Sequence, residues 1–481
     1  MIHNHVSNLF LKQTDTIHFS GIGGIGMSGI AEILHNIGFD IQGSDVSENA
    51  NTDRLKDLGI KIYIGQKAEN LDNVSFFVKS TAILENNPEY IQARKLKIPI
   101  ITRTEMLAEL MRLKISIAIS GTHGKTTTTS LVAALFENAD LNPTVINGGI
   151  INHKKTNAYL GEGDFLIAEA DESDETFIKV PSTIGVITNI DPEHLDHYKT
   201  FDNLKDSFRK FIANLPFYGF AVLCIDHPVV DEIAKSITNR KIITYSMSNK
   251  ESDIFVDNIR HDDGIGTVFD VIISDKVSSP YKSIKNIRLP IPGLHNVSNS
   301  LAAIAIASEL KFDQEKIVSS FEKFMGVKRR FTLTGEYKGI KIIDDYAHHP
   351  EEIKVTLHTA KLVANKHGGK VIAIFQPHRY TRTKNLFNDF VKCFKDCDRL
   401  YIADIYSAGE KPITNINNEL VVNAIKQSGS HKCAFTLPKG EESLKNIVKT
   451  HARKNDIVIF MGAGSITKWA NELPDKLKSS D

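Results

Sequence analysis

Disulfides, surplus charge and long apolar runs are what this chain of 481 residues has little of. Its four cysteines are too few for a disulfide framework. Cys393 and Cys397 form a C-x3-C pair, with no second pair or nearby His to complete a zinc set, so the spacing reads as two positions on one helix face. The 58 Lys and Arg balance 58 Asp and Glu. Zero net charge argues against general nucleic-acid binding, because neutralising phosphates needs a basic surplus. A local anion-binding cleft is still allowed. No apolar run approaches the ~18 residues of a membrane helix, and the start MIHNHVSNLF lacks the basic head and apolar core of a secretory signal. The expectation is a soluble cytoplasmic protein.

An ordinary share of hydrophobic (41%) and charged (24%) residues excludes wholesale disorder. At about 150 residues per domain, the length suggests roughly three domains. No segment is of low complexity and no internal repeat is visible. Strand-then-helix patterns recur three times, which implies parallel sheets with crossovers. The first unit opens with TIHFSG (16–21) and ends near Pro99–Met111. The second opens with ISIAIS (115–120) and continues through LIAEA (166–170), GVITNI (185–190) and FAVLCID (220–226). Residues 252–292 alternate and turn at Asp-Gly, as antiparallel hairpins do. NVSNSLAAIAIASEL (296–310) reads as a helix. The third unit begins near residue 326, with strands at GIKIIDDY, KVIAIFQPH, RLYIADIY and DIVIFMGAGS. The tail PDKLKSSD reads as frayed.

Two loops carry phosphate-binding chemistry. Gly21-Ile22-Gly23-Gly24-Ile25-Gly26 matches G-x-G-x-x-G between a strand and a helix, and Asp45 ends the next strand, 19 residues after Gly26. Glycines let backbone N–H groups and a helix N-terminus approach a diphosphate, whether of NAD, FAD or a nucleotide-sugar. Gly121-Thr122-His123-Gly124-Lys125-Thr126-Thr127 follows ISIAIS and is a shortened phosphate loop: Lys reaches terminal phosphates and the first Thr can bind Mg2+. A dehydrogenase needs only the first loop and a simple ATPase only the second. Together they point to a diphosphate-bearing substrate and ATP on one chain.

Other polar clusters sit at strand ends. Glu169-Ala170-Asp171-Glu172-Ser173-Asp174 offers hard oxygens for Mg2+, although Asp171 and Asp174 read better as a solvated loop. His194 follows GVITNI. Asn296 and Asn299 share a face of the helix that His295 begins. Arg329 and Arg330, the run Asp344 to His349, and His378 to Arg382 cluster near strand C-termini, where a binding edge is expected.

In this order, HFSGIGGIGMSG, GSD, GTHGKTTTT, EADESD, TNIDPEHLDHY, GLHNVSN, RRF, DDYAHHP and QPHRYTR resemble the Mur ligase family of peptidoglycan synthesis, from His18 to about Gly464. The resemblance is strongest to the branch that adds L-alanine. It implies an α/β protein of three domains: a Rossmann-like domain for the UDP-substrate (1–111), a central P-loop ATPase-type parallel sheet with a small antiparallel addition (112–325), and a Rossmann-like C-terminal domain closing on both (326–481). It implies ATP and Mg2+ as cofactors, UDP-N-acetylmuramate and L-alanine as substrates, and a monomer or homodimer. Gly21, Gly23, Gly24, Ile25, Gly26 and Ser80 would hold the UDP-substrate, with Asp45 facing the uridine. Gly121 to Thr127 would hold ATP, with Lys125 on the γ-phosphate. Thr126, Glu169 and His194 would be metal ligands, Glu169 matching better than Glu172. His295, Asn296, Asn299, Arg330 and Asp345 would contact the nucleotide. Tyr346, His348, Arg379 and Arg382 would face the amino acid and the muramyl carboxylate. Several family members carry a carbamylated Lys, but neither Lys205 nor Lys210 aligns with it securely.

Three rivals stand beside this reading. One is an NAD-dependent oxidoreductase using Gly21–Gly26, which leaves the second loop without a purpose. Another is a nucleotide-sensing switch without turnover. The third is the related ligase that recycles murein tripeptide.

Overall fold

The structure, a computed structural model, describes residues 15–173, 175–261 and 266–479. The N-terminal decapeptide, Asp174 and the Asp263-Gly264 turn lie outside them. Three sheets follow one another along the chain. The first contains β1 (Thr16–Ser20), β2 (Asp40–Asp45), β3 (Lys61–Ile64), β4 (Phe76–Lys79) and β5 (Ile100–Thr102), in the order β3-β2-β1-β4-β5 and parallel throughout.

The second sheet has ten strands: β6 (Ile115–Ser120), β7 (Thr144–Ile151), β8 (Thr156–Tyr159), β9 (Phe165–Glu169), β10 (Ile184–Ile187), β11 (Phe220–Cys224), β12 (Lys241–Ser246), β13 (Ile254–His261), β14 (Thr267–Ile273) and β15 (Ser283–Leu289). Their order is β15-β14-β13-β12-β11-β10-β6-β9-β7-β8. Its middle strands are buried almost end to end, as parallel strands covered on both faces must be. The antiparallel β7–β8 pair, which the sequence pattern did not reveal, closes one edge.

The third sheet contains β16 (Thr332–Tyr337), β17 (Ile340–Asp345), β18 (Val371–Phe375), β19 (Arg399–Ile402), β20 (Ala434–Thr436) and β21 (Ile457–Met461). It is ordered β16-β17-β21-β18-β19-β20, with β16 antiparallel to β17. The chain groups into two compact units. The first holds both N-terminal sheets and most of the helix Leu294–Glu309. The second holds the third sheet together with residues 289–296.

Within the first unit, the β7–β8 pair joins the two sheets. A Cβ on Gly29 would lie 2.7 Å from the Ala158 Cβ, so glycine lets the helix Ile25–Ile37 sit directly on β8. Asn157 Nδ2 donates to Ile25 O (2.7 Å), and Arg54 donates to Thr156 Oγ1 (2.9 Å) and Asn157 Oδ1 (3.2 Å). One apolar cluster, from Ile17 and Met27 through Ala158 to Phe208, spans both sheets. This packing holds the two glycine-rich loops in a single body.

Two local expectations fail for packing reasons. The tail is a helix, Ile466–Lys478, that runs through Pro474, because Leu473 and Leu477 are buried on one face. Cys393 and Cys397 lie in a run of turns beyond the short helix Phe387–Phe390, and each thiol bonds the carbonyl three residues back. Both are buried, and burial pushes both thiols up.

Candidate active site

The second phosphate-binding loop shows why its glycines stand where they do. Gly121 has φ +129°, and a Cβ there would lie 2.2 Å from Thr188 Oγ1. Gly124 has φ +85°, and its Cβ would meet Asn299 Oδ1 at 2.6 Å, which places Asn299 on the loop. Residues 188–191 stitch the loop from outside. Asn189 O accepts from Thr122 N (2.9 Å), Asn189 Oδ1 accepts from His123 N (2.8 Å), and Asp191 N donates to Thr122 Oγ1 (2.8 Å). No side chain caps the first amides of the helix Lys125–Asn138, as an anion site there requires. Thr127 is buried in that first turn.

Lys125 Nζ donates to Gly121 O (2.5 Å), Thr122 O (3.1 Å) and Glu172 Oε1 (2.9 Å). Burial opposes its charge, but Glu172, Asp171 and Glu169 outweigh burial and hold the ammonium above its ordinary value. Glu172 is pushed up to about 7 by burial, with Asp171 adding and Lys125 opposing. Thr126 Oγ1 donates to Glu169 Oε2 (2.9 Å), and Gly148 N donates to the same oxygen (2.9 Å). His194 Nε2 lies 4.0 Å from Glu172 Oε1. Glu172, passed over in favour of Glu169, is thus the carboxylate between Lys125 and His194. Lys205 pairs instead with Asp202, and Lys210 with Glu175.

The glycine loop is fastened to β2. Ser44 O accepts from Gly21 N (2.8 Å) and Ile22 N (2.9 Å). Gly21 has φ +81°, and its Cβ would lie 2.8 Å from Ser80 Oγ, so Ser80 stands against the loop. Asp45, expected to face the uridine, has a second set of partners in the loop itself. Its carboxylate accepts from Gly23 N (2.8 Å) and Val46 N (2.8 Å), so it braces the loop's own backbone. The helix from Ile25 again has no side-chain cap. Above Gly26, where a Cβ would meet Arg103 Nη1 at 2.6 Å, lies a guanidinium the motif reading missed. Arg103 Nη2 donates to Asp171 Oδ2 (3.1 Å). Asp171 is therefore a paired acid, its side chain still 39% exposed, and Arg103 and Lys125 pull its carboxyl well below the usual range. One ion pair thus links the glycine loop to the acidic segment beside Lys125.

In the second unit, strand ends gather the basic residues. Asp345 accepts from Phe331 N (2.8 Å) and Ala347 N (2.8 Å), and burial pushes it up to about 6 against the pull of Arg330. His295 stands exposed in the first turn of the helix Leu294–Glu309. Asn296 Nδ2 donates to Pro292 O (2.6 Å). The Arg330 guanidinium lies 5.5 Å from the Tyr346 ring, and Tyr346 meets His348 edge-on at 5.1 Å. Arg382 Nη1 lies 3.2 Å from His378 Nδ1, His378 is 5.9 Å from His348, and Tyr406 stacks on His378 at 5.6 Å. Arg379 donates its N–H to Tyr406 O (2.8 Å) at φ +70°. Tyr406 thus joins the expected Tyr346, His348, His378, Arg379 and Arg382 at one edge.

Two glycine-rich strand-to-helix loops in one compact unit, followed by a second α/β unit with a basic edge, are the arrangement a nucleotide-using ligase needs. Residues 16–115 match the Mur ligase family catalytic domain, 119–307 the Mur ligase middle domain, and 329–464 the Mur ligase glutamate ligase domain. The chain belongs to the Mur ligase family. It is 58% identical over 472 residues to the UDP-N-acetylmuramate–L-alanine ligase of Rickettsia bellii, covering 97% of this chain and 98% of that one. The corresponding Rickettsia prowazekii ligase is 57% identical, covering 98% and 96%. Among solved structures, a UDP-N-acetylmuramate-alanine ligase from Thermotoga maritima superposes with a TM-score of 0.80 at 29% identity, covering 97% of this chain and all of that one. A murein peptide ligase from Psychrobacter arcticus shares the fold, with a TM-score of 0.70 at 21% identity over 97% and 98%.

Proposed function

We propose that this chain is an ATP-dependent ligase that joins L-alanine to the lactyl carboxylate of UDP-N-acetylmuramate, in the cytoplasmic synthesis of peptidoglycan precursors. The carrying observation is the Arg103–Asp171 pair, which ties a diphosphate-type loop to an ATP-type loop inside one compact unit. An oxidoreductase using the first loop alone gives the second no role. The two Rickettsia ligases support the choice of substrates.

A bare carboxylate is a poor electrophile, so the lactyl oxygen first attacks the γ-phosphorus of ATP, giving an acyl phosphate and ADP. The amine of L-alanine then attacks the acyl carbon and phosphate leaves. Lys125 and the amides of Gly121–Thr127 hold the transferring phosphoryl group and stabilise its charge. His295, Asn296, Asn299, Arg330 and Asp345 are assigned to the nucleotide. Arg379 and Arg382 are assigned to carboxylates, for which the guanidinium fork is suited, with Tyr346 and His348 beside them.

Mg2+ fits the residues present. The Thr126 hydroxyl and a Glu169 oxygen meet at 2.9 Å beside the loop, and such hard oxygens suit a hard cation. Thr126 and Glu169 would hold it, with His194 assigned to a second metal ion, and it would supply charge neutralisation on the phosphates.

The test is phosphate release from ATP and Mg2+ in the presence of UDP-N-acetylmuramate, with single amino acids added in turn. Release that needs both the UDP-sugar and L-alanine is expected. Release with a murein tripeptide but not L-alanine would move the chain to the recycling branch. Tight binding of both nucleotides without release would mark a sensor.

A further inference from the structure

Beneath the glycine loop lies a carboxylate that belongs to none of the motifs. Glu89 is completely buried. It stands in the first turn of the helix Pro88–Leu96, whose N-cap Asn87 accepts from Glu89 N (2.9 Å), so the helix dipole favours its negative charge. Glu89 Oε2 accepts from Ser20 Oγ (2.5 Å) and Ser44 Oγ (2.7 Å). Glu89 Oε1 accepts from Asn70 Nδ2 (2.7 Å), and His18 Nε2 lies 3.4 Å from it. Burial pushes this carboxyl up, but His18, Ser20 and Asn70 outweigh burial and keep it below its ordinary value.

Ser20 and Ser44 lie at strand ends, and Asn70 lies in the short helix Ala68–Leu71. Ser20 ends β1, immediately before Gly21. Ser44 lies in β2, and its carbonyl holds the Gly21 and Ile22 N–H groups. Asn70 Nδ2 also donates to Gly65 O, just past β3 (3.0 Å). Ser80 N, beyond β4, donates to Ser20 O (3.2 Å). One carboxylate therefore ties the ends of two strands directly, a third through Asn70 and a fourth through Ser20, at the level where the loop leaves the sheet. A buried charge is a poor way to add stability, since well-packed apolar groups do as well or better. It is a good way to hold several donors in one arrangement.

We infer that Glu89 is a positioning residue for the glycine loop, setting the affinity for the diphosphate-bearing substrate without touching it. This rests on the reading of that loop as the UDP-substrate site. Electrostatics alone predicts the opposite effect. An anion below an anion-binding loop repels its ligand, so removing the charge by itself tightens binding.

The experiment is steady-state kinetics of Glu89→Gln beside the wild type. Gln offers one carbonyl acceptor where the carboxylate offers two oxygens, so either the two serines or Asn70 must face an NH2 group. The expected result is a KM for UDP-N-acetylmuramate raised about tenfold, the effect of one buried hydrogen bond lost. KM for ATP and kcat at saturation stay within about twofold. A KM unchanged or lowered overturns the inference. So does a fall in kcat with KM unchanged, because that is a loss of folded enzyme. Should Glu89→Gln not fold, Ser44→Ala removes one hydroxyl from the same clamp and is expected to raise the same KM by a smaller factor, with an unchanged KM overturning the inference. A wild-type enzyme with no affinity for UDP-sugars defeats the parent reading, a result distinct from unaffected variants of an active enzyme.

Discussion

Lys125 Nζ stands 2.9 Å from both carboxylate oxygens of Glu172, a side chain only 2% exposed. The ammonium is fixed at the head of the helix that Lys125 opens by a group 47 residues away, and loop carbonyls hold its other sides. Lys125→Ala should cut ATP-dependent phosphate release by a factor of about 10²–10³, the ~2.7–4 kcal/mol typical of one lost charge-stabilising donor. The fold should survive, because Glu172 can take up a proton once its partner is gone. Circular dichroism checks the fold and phosphate release the activity. Undiminished turnover would sink the assignment of this loop.

Thr126 and Glu169 share one hydrogen bond and are assigned one cation. Thr126→Val and Glu169→Gln should each raise the Mg2+ concentration needed for half-maximal activity. Their double variant should show less than the sum of the two effects, because residues in contact couple by about 0.5–3 kcal/mol. Strict additivity in Mg2+ titrations would separate the two residues.

Arg103 touches the glycine loop at Gly26 and pairs with Asp171. Arg103→Ala should raise KM for the UDP-sugar by about tenfold or more, as loss of a hydrogen bond to a charged group does. It should also let the Asp171 carboxyl rise toward its ordinary value. Arg103→Lys should rescue only part of the loss, since an ammonium lacks the planar fork. Equal effects on the KM values for UDP-sugar and ATP would contradict the placement.

Asp345 is held at about 6 by burial, above the ~3.9 of an unfolded Asp. Folding therefore favours its protonated form. The stability it contributes is fully present below about pH 4 and is lost as pH rises through about 6. Relative to Asp345→Asn, the wild type should lose on the order of 2–3 kcal/mol across that window and stay flat above it. Urea melts followed by fluorescence of the single tryptophan, Trp469 in the same unit, check this. A difference independent of pH would refute it.

Much of this architecture was readable from local pattern. FAVLC and VIAIF are apolar from end to end and ISIAIS interrupts its apolar run only with two serines, as buried parallel strands require. The expected helix appears at Leu294–Glu309 because Val297, Leu301, Ala305 and their neighbours are apolar on nearly every face. The β7–β8 pair was not readable. Thr144–Ile151 contains Gly148 and Gly149, and no period of two survives there. The tail was misread because Pro474 and its polar neighbours signal a chain end, while the burial of Leu473 and Leu477 is a matter of what packs against them.

The sequence by itself determined the two loops and the strands that lead into them. Glycines with positive φ, a strand before and a helix after are properties of neighbouring residues, and so is the order of the family's motifs. Only the tertiary structure decided which side chains complete the site. Arg103 and Asp171 are 68 residues apart, Lys125 and Glu172 are 47 apart, and Glu89 meets Ser20 across 69. Asp45 turned out to brace Gly23 because the strand end it occupies lies under the loop. Such pairings depend on the sheet order β3-β2-β1-β4-β5 and on the β7–β8 bridge. Burial then gives those distant charges their strength, because a desolvated ion must find its partner wherever the fold has placed it.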